Sequence, residues 1–282
     1  MGGVATPDQA ATLGSMPTAE VGVRDALTAV RGRLGLVALL LAIAGLAWWW
    51  TARSMSGMDA GPGTDLGTLG WFAGAWVVMM AAMMFPASAP TVALYARMTR
   101  RRGIERPLLF AGAYLVVWGA TGLAAYAVWR LGRATLASAL AWNNAGRWFV
   151  AGLLALAALY EMTPLKNVCL QKCRSPLAFL LGGWRDGRLG AVQMGARHAL
   201  WCLGCCWALM VALFALGVMS LVWMALVAAL ITLEKTLPWR RIALWSTTTI
   251  LLALAILVAV APAQTPGLTL PASTSHAMHG MR

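Results

Sequence analysis

Long apolar stretches recur along the whole 282-residue chain, and they constrain its fold more than any other feature. A helix needs about 20 mostly apolar residues to cross the hydrocarbon core of a bilayer. Charged residues make up 11% of the chain, whereas about 25% of residues are charged in soluble domains. The sequence therefore predicts an all-α, polytopic helical membrane protein with about seven transmembrane helices. The predicted spans are residues 34–50, 71–94, 107–129, 144–161, a segment that begins at His198, 219–233 and 242–261.

The distribution of lysine and arginine predicts the orientation of these spans. Of the 22 basic residues, 17 lie in the N-terminal segment and in the alternate loops 97–106, 166–197 and 235–241, and five lie in the opposite set. Basic loops face the cytoplasm. We therefore expect a multi-pass protein of the bacterial inner membrane with its N-terminus inside and its C-terminus outside. Its expected partner is the lipid bilayer, and the net charge of +13 requires no nucleic acid.

The spans divide the chain into three regions. Residues 1–33 are polar and mixed in sign, which predicts a disordered cytoplasmic tail rather than a signal peptide. Residues 34–261 form the transmembrane helical domain, with an inner cysteine-bearing loop at 164–197, and residues 262–282 form an outer tail. Weaker candidates for copper capture outside the membrane lie in this tail and in the loop after the first span: Met55, Met58, Asp59, His276, Met278, His279 and Met281.

One predicted span carries an unusual set of soft metal ligands, in the sequence R-H-A-L-W-C-L-G-C-C-W-A-L-M at 197–210. On a helix, His198, Cys202 and Cys205 fall at i, i+4 and i+7, and Cys206 and Met210 fall at i+8 and i+12. All five side chains can therefore share one broad face. Cys205 would lie about 10 Å along the helix from His198, which places the thiols in the inner leaflet.

A second cysteine pair lies in the inner loop, where Cys169 and Cys173 stand at i and i+4 among lysine and arginine residues. Neighbouring positive charge favours the thiolate, which is the form of cysteine that binds metal. The total of five cysteines is odd, which argues against a framework built only from disulfides. We therefore consider the pair a further candidate for metal binding.

Four methionines of the second span form two pairs at helical spacing. Met79 and Met83 are i and i+4, and so are Met80 and Met84, so the four sulfurs make a stripe one turn long. Thioethers bind Cu(I), but methionine also fills irregular gaps in apolar cores. The stripe is thus either a set of ligands or part of the core.

Two acidic residues lie near the ends of predicted spans. Glu161 is expected to pair with Lys166 or with an arginine of the inner loop, and Glu234 with Lys235 or Arg240. Ionisable side chains at these positions need a partner because they lie at the edge of an apolar environment.

Five motifs, in linked order, resemble a bacterial family. They are E-M-T-P-L-K-N-V-C-L-Q-K-C-R-S-P, W-R-D-G-R-L-G-A, H-A-L-W-C-L-G-C-C-W-A-L-M, G-V-M-S-L-V-W-M and E-K-T-L-P, and the resemblance covers about residues 71–238. The family is that of predicted metal-binding integral membrane proteins, a copper-chaperone-like domain of unknown function linked with polyphenol oxidase maturation. The resemblance implies metal ligands at Met79, Met80, Met83, Met84, Cys169, Cys173, His198, Cys202, Cys205 and Cys206.

These residues leave several interpretations open. The leading one is a protein that handles Cu(I), as chaperone, delivery protein or transporter, by ligand exchange between methionine and cysteine or histidine sites. A copper-dependent enzyme or copper carrier would be its partner. The same ligands also suit a structural zinc site.

An alternative function is a membrane thiol–disulfide oxidoreductase that uses Cys202 and Cys205 with Cys169 and Cys173. The cysteines would otherwise serve as small apolar packing residues. The sequence contains no acid and base pair placed for catalysis, so we expect metal transfer rather than an enzyme.

Overall fold

The computed structural model describes residues 18–55, 65–136, 145–237 and 239–262. The described residues contain nine α-helices and one 3-10 turn at Arg100–Arg102, and no strand occurs among them. The helices are α1 Thr18–Met55, α2 Leu69–Met98, α3 Glu105–Leu136, α4 Arg147–Glu161, α5 Pro164–Arg174, α6 Pro176–Leu181, α7 Gly187–Leu216, α8 Leu221–Thr236 and α9 Arg240–Val260. The prediction of an all-α chain is confirmed for these ranges.

Five of the described helices are long and apolar enough to cross a membrane, namely α1 from Gly35 onward, α2, α3, α7 and most of α9. The pair α4 and α5 provides a sixth candidate, bent by 65° at its break. The sixth of the seven predicted spans corresponds to α8, which has 16 residues. This helix is shorter than the roughly 20 residues of a typical span. The structure therefore supports five or six candidate spans.

Two helices extend beyond the predicted spans. α1 begins at Thr18, so residues 18–33 are helical where the sequence suggested disorder. α7 begins at Gly187, well before His198, because single glycines in a long helix cost only about 1 kcal/mol each. Cys202 consequently lies near the middle of a 30-residue helix rather than one turn from its start. The predicted inner loop at 164–197 is also largely helical, because it contains α5, α6 and the start of α7.

Several of the sequence predictions concern residues that lie outside the described ranges. These are the first 17 residues of the predicted tail, Met58 and Asp59, and the His/Met-containing segment beyond residue 262. Met55 is described and lies buried at the end of α1.

The long helix α7 occupies the centre of the bundle, where it packs against α3, α4, α5 and α8. It approaches α3 closely at Gly195, where an added Cβ would collide with the backbone carbonyl of Phe110. Small residues at such crossings let two helix backbones approach closely. On the far side of α3, the Trp76 indole of α2 donates a 2.8 Å hydrogen bond to the carbonyl of Trp118. These contacts fix α2, α3 and α7 against one another.

Ion pairs join two of the basic loops at one end of the bundle. Arg102, just after α2, lies 2.7 Å from Asp186, and Arg188 lies 2.7 Å from Glu105. All four side chains are exposed, so each pair contributes little to stability. The pairs nevertheless show that the segment between α2 and α3 lies beside the start of α7.

A second set of contacts holds the start of α2 against the end of α3. Asp65 accepts hydrogen bonds from the backbone N–H of Gly67 at 2.9 Å and from Arg133 at 3.1 Å. The Gly67 N–H, together with the nearby guanidinium, holds the pKa of Asp65 below its ordinary value. The Tyr126 hydroxyl donates a 2.9 Å hydrogen bond to the carbonyl of Gly67. The loop before α2 is thereby tied to α3.

We predict that Gly195→Ala destabilises the protein by about 1–3 kcal/mol, because the new methyl group must push apart two helix backbones. The matched control is Gly112→Ala in α3, where an added Cβ meets no atom within 4 Å. This control should be neutral or stabilising, since alanine favours a helix over glycine. The measurement is the free energy of unfolding in detergent. Equal stability of the two variants would contradict the close approach of α3 and α7.

Candidate metal centre

Three cysteine thiols of α7 gather at one point of the bundle core. The Sγ atoms of Cys202, Cys205 and Cys206 lie within 4.8 Å of one another, and all three side chains are buried. Their i, i+3, i+4 spacing puts them on the same face of the helix. The thiols of Cys205 and Cys206 donate to the carbonyl of Cys202 at 3.0 Å and 2.9 Å. These hydrogen bonds orient both sulfurs along the preceding turn.

Two further sulfurs join this group from other helices. Cys173 of α5 places its Sγ 3.8 Å from that of Cys205, and Met84 of α2 places its Sδ 4.0 Å from the Sγ of Cys202. With metal–sulfur bonds of about 2.3 Å, two sulfurs bound at 120° are about 4.0 Å apart. The spacing and the soft donor chemistry therefore suit a single small thiophilic ion. We refer to Cys173, Cys202, Cys205, Cys206 and Met84 as the sulfur cluster.

Two polar groups contact the Cys202 sulfur. The ammonium of Lys235, at the end of α8, donates to Cys202 Sγ at 3.0 Å. The hydroxyl of Tyr114, on α3, lies 3.0 Å from the same sulfur. A cation at this distance compensates the negative charge of a thiolate in an environment where water cannot do so. Cys202 therefore receives polar contacts from two other helices, α3 and α8.

Cys169 is placed apart from the three grouped thiols. It is buried on α5 and faces Gly204 of α7, where an added Cβ would lie 2.7 Å from the Cys169 sulfur. The carbonyl of Gly204 also accepts a hydrogen bond from the Tyr160 hydroxyl of α4. Gly204 thus allows α4 and α5 to contact α7 between two of its cysteines.

His198 lies one turn before Cys202 on α7, in a pocket of aromatic rings. The ring centroids of Phe110, Tyr114 and Phe179 are 5.9, 5.7 and 5.2 Å from that of the imidazole. Its Nδ1 is buried and has no hydrogen-bond partner among the described residues. A histidine nitrogen without a partner in the described part of the chain thus lies one turn from Cys202.

The predicted methionine stripe lies in the core of α2. Met79, Met80, Met83 and Met84 are all buried, with 0–1% of each residue exposed. The sulfur of Met84 reaches the sulfur cluster, whereas the other three methionines occupy core positions along the same helix. Methionine suits both roles because its side chain is flexible and polarisable.

Sequence reasoning missed two residues of the site. Tyr114 lies in a predicted span in which the sequence suggests no chemistry, and the sequence offers Lys235 only as an ion-pair partner of Glu234, beside Arg240. In the structure Glu234 instead lies 2.8 Å from Lys166, which leaves Lys235 to contact Cys202. Of the two kinds of partner expected for Glu161, the structure shows Lys166. The motif E-K-T-L-P contains Lys235, so the sequence marks its position but not its contact with Cys202.

Comparison with known proteins identifies a family. The family model of PpoB2, described as a copper chaperone, matches residues 73–258. The matched region covers more than half of the chain and contains every residue of the sulfur cluster. The expected resemblance to copper-chaperone-like proteins is confirmed. No curated protein and no solved structure matches the chain.

We predict that mild oxidation with diamide joins Cys173 to Cys205, because their sulfurs lie 3.8 Å apart on different helices. The product is read by mass spectrometry of peptides under non-reducing conditions. Cys173→Ser should abolish the α5–α7 link, whereas Cys169→Ser should retain it. If α5 and α7 peptides never cross-link while their thiols remain reactive in unfolded protein, the sulfur cluster is assembled differently.

Proposed function

The chain belongs to the PpoB2 family of copper chaperones, and from this premise we propose that it binds Cu(I) inside a membrane and passes it on by ligand exchange. The sulfur cluster is the observation that carries the proposal. Thiolate and thioether ligands together favour Cu(I) over hard cations such as Mg²⁺ and Ca²⁺. Sulfurs from α2, α5 and α7 lie within 4.8 Å of their neighbours in the sulfur cluster, close to the separation of about 4 Å between two sulfurs bound to one ion.

Cys205 has a central position in the proposed exchange. Its sulfur neighbours those of Cys202 and Cys206 on its own helix and that of Cys173 on α5. An ion held by α7 can therefore gain the Cys173 sulfur before it loses Cys202 or Cys206. Each thiol that binds copper gives up its proton, and no electron is transferred. Lys235 offsets the negative charge that the resulting thiolates carry.

The remaining predicted ligands are proposed as approach positions. His198 offers an unpaired nitrogen one turn from Cys202, and Cys169 offers a thiol beside Gly204. Met79, Met80 and Met83 continue the thioether stripe away from Met84 along α2. The histidines and methionines of the C-terminal tail would extend the same chemistry outside the membrane.

The proposed location is the bacterial inner membrane, with the N-terminus inside and the C-terminus outside. In this arrangement α8 completes seven spans with the bent α4–α5 pair and the five long apolar helices. The ion pairs between the α2–α3 segment and the start of α7 support it, because both belong to the basic loops assigned to the cytoplasm. The proposed partner is a copper-dependent enzyme or a copper carrier.

One observation favours a second candidate function, a thiol–disulfide oxidoreductase. Cys173 and Cys205 are close enough to form a disulfide by passing two electrons and two protons to a quinone or a disulfide partner. All five cysteines are free and buried, so such a partner would have to reach into the bundle. A structural zinc site would use the same sulfurs. Metal analysis separates these possibilities.

We predict that protein purified in detergent under anaerobic, reducing conditions binds Cu(I) near stoichiometrically. The double variant Cys202→Ser/Cys205→Ser should lose this ion, because two central ligands are removed. Cys169→Ser is the matched control, since it changes a buried cysteine outside the three grouped thiols, and should still bind the ion. Elemental mass spectrometry and a Cu(I) titration provide the measurement, after each variant has been shown to be helical and monodisperse.

Unchanged stoichiometry and affinity in the double variant would refute the proposed copper site. Zinc that is lost only in the double variant would identify a structural zinc centre. The absence of metal together with reversible oxidation of Cys173 and Cys205 would favour the oxidoreductase.

We also predict that Met84→Leu weakens Cu(I) binding about tenfold, which corresponds to about 1.4 kcal/mol. The substitution removes a thioether 4.0 Å from Cys202 Sγ while it keeps an apolar side chain of similar volume. Met224→Leu on α8 is the control, because Met224 is equally buried but lies outside the predicted stripe. Competition with a Cu(I) chelator gives the affinities. An equal loss in both variants would indicate a general packing effect instead of a ligand.

A further inference from the structure

An apolar groove of about 470 Å³ runs along the surface of the bundle between α3 and α7. On α3 it extends from Glu105 to Val117, and on α7 its wall contains Val192 and Ala196. Every residue that lines it is apolar except Glu105 at one end. An added Cβ at Gly112 would meet no atom within 4 Å, so the middle of the groove is open. The groove is therefore an apolar channel with a polar end.

The groove has about the length of one membrane leaflet. From Glu105 to Val117 the axis of α3 rises about 18 Å, at 1.5 Å per residue. The hydrocarbon core of a bilayer is about 30 Å thick, so one leaflet contributes about 15 Å. Under the proposed topology, Glu105 lies at the cytoplasmic surface and Val117 near the middle of the bilayer. An acyl chain that begins at a head group beside Glu105 would follow the groove to its end.

The polar end of the groove lies in the most basic part of the described bundle ends joined by ion pairs. Residues 100–106 and 185–188 contain six arginines and two acidic residues, a net charge of +4. Each of the two acidic side chains already forms an ion pair with one of these arginines. Basic pockets between membrane helices on the cytoplasmic side are typical binding sites for anionic lipid head groups. Charge complementarity therefore favours a negatively charged head group at this end.

Two of these arginines share a helix face with residues that line the groove. Arg106 and Leu109 are i and i+3 on α3, and Arg188 and Val192 are i and i+4 on α7. Arg188 binds the carboxylate of Glu105 through Nε at 2.7 Å and through Nη2 at 3.2 Å. Its other N–H groups remain for a phosphate. Arg106 forms no ion pair within the described part of the chain.

The walls of the groove do not suit a further helix. Membrane helices pack closely where small residues recur four positions apart on one face. On α3, the residues four positions before and after Gly112 are Leu108 and Val116, which are 46% and 71% exposed. These two side chains would hold another helix away from the floor of the groove, whereas a flexible acyl chain fits between them.

We propose that this groove binds the acyl chain of one anionic phospholipid, whose phosphate is held by Arg106 and Arg188 at the cytoplasmic end of α3 and α7. The inference rests on the proposed membrane location and is independent of the proposed copper chemistry. The bound lipid bridges α3 and α7, the helices that carry Tyr114 and Cys202. A lipid that binds only the folded protein stabilises it by mass action.

The first test is native mass spectrometry of the full-length protein in detergent, with added phosphatidylglycerol or phosphatidylcholine of the same acyl chains. The wild type should retain one phosphatidylglycerol and bind it about 30-fold more tightly than phosphatidylcholine, as two arginines beside one anionic head group predict. Arg106→Gln should reduce this preference about fivefold. Arg147→Gln is the control and should keep the preference, because Arg147 lies at the start of α4 and stacks on Trp148.

A second pair of variants tests the groove itself. Gly112→Leu should abolish retention of both lipids, because the new side chain occupies open space in the groove and displaces no protein atom. Gly152→Leu on α4 is the matched control, since an added Cβ there also meets no atom within 4 Å but lies outside the groove. This control should bind both lipids as the wild type does. Circular dichroism checks that both variants keep the wild-type helix content.

A third measurement needs no variant and therefore does not depend on how the variants fold. Phosphatidylglycerol with a photoreactive diazirine in its acyl chain should label peptides that contain residues 105–117 and 192–196. Labels confined to other peptides would overturn the lipid site, and so would equal retention of the two lipids by the wild type.

Three further outcomes would also overturn the lipid site. A preference for phosphatidylglycerol that is unchanged in Gly112→Leu would indicate charge attraction to the surface without use of the groove. A wild-type dimer that becomes monomeric in Gly112→Leu would assign the groove to a second copy of the chain. A wild type that stays monodisperse in water without detergent would overturn the membrane location together with this inference.

Discussion

The interior of the helix bundle excludes water, so every buried polar group must find its partner within the protein. This requirement accounts for the polar contacts around Cys202. The thiols of Cys205 and Cys206 bond to the carbonyl of their own helix, and the Cys202 sulfur faces the hydroxyl of Tyr114 and the ammonium of Lys235. Unmet polar groups in such a place cost about 1–3 kcal/mol each. Among the described residues such groups occur at Nδ1 of His198, one turn from Cys202, and at Oε1 of Glu161 and of Glu234; they also occur in the side chains of Thr51, Trp118, Asn167 and Trp223.

The site is built mainly from one long helix, α7, and one short helix, α5. α7 carries three thiols on a continuous rod, whereas α5 follows a 65° break after α4 and brings Cys173 from the side. Pro164 starts α5, and the hydroxyl of Thr163 accepts the N–H of Lys166, which caps the new helix. The break lets α5 supply both the Cys173 sulfur and the Lys166 ammonium, which pairs with Glu161 and Glu234. The candidate metal site and this buried group of charges thus follow from the same change in chain direction.

The sequence predicted the parts of the site that depend on local periodicity. Helical spacing alone places Cys202 beside Cys205 and Cys206, and the proximity of Glu161 and Lys166 along the chain made Lys166 one of the partners expected for Glu161. The approach of Met84 and the pairing of Glu234 depend on how separate helices pack, and helical periodicity does not determine this. Hydropathy found the apolar helices but misplaced the start of α7, because a glycine-containing amphipathic stretch resembles a loop.

Gly204 contributes to the site only by leaving space between helices. The residue offers no ligand, yet its missing side chain makes room for the Cys169 sulfur and its carbonyl receives the Tyr160 hydroxyl. Larger residues at this position would separate α4 and α5 from α7 and so scatter the sulfurs that different helices contribute. Under the proposed function, substitutions at Gly204 would therefore give the same phenotype as substitutions of the cysteines in a selection for copper-dependent growth. Such a selection would find the proposed ligands together with a residue that only makes room for them, and the chemistry of the side chains distinguishes the two.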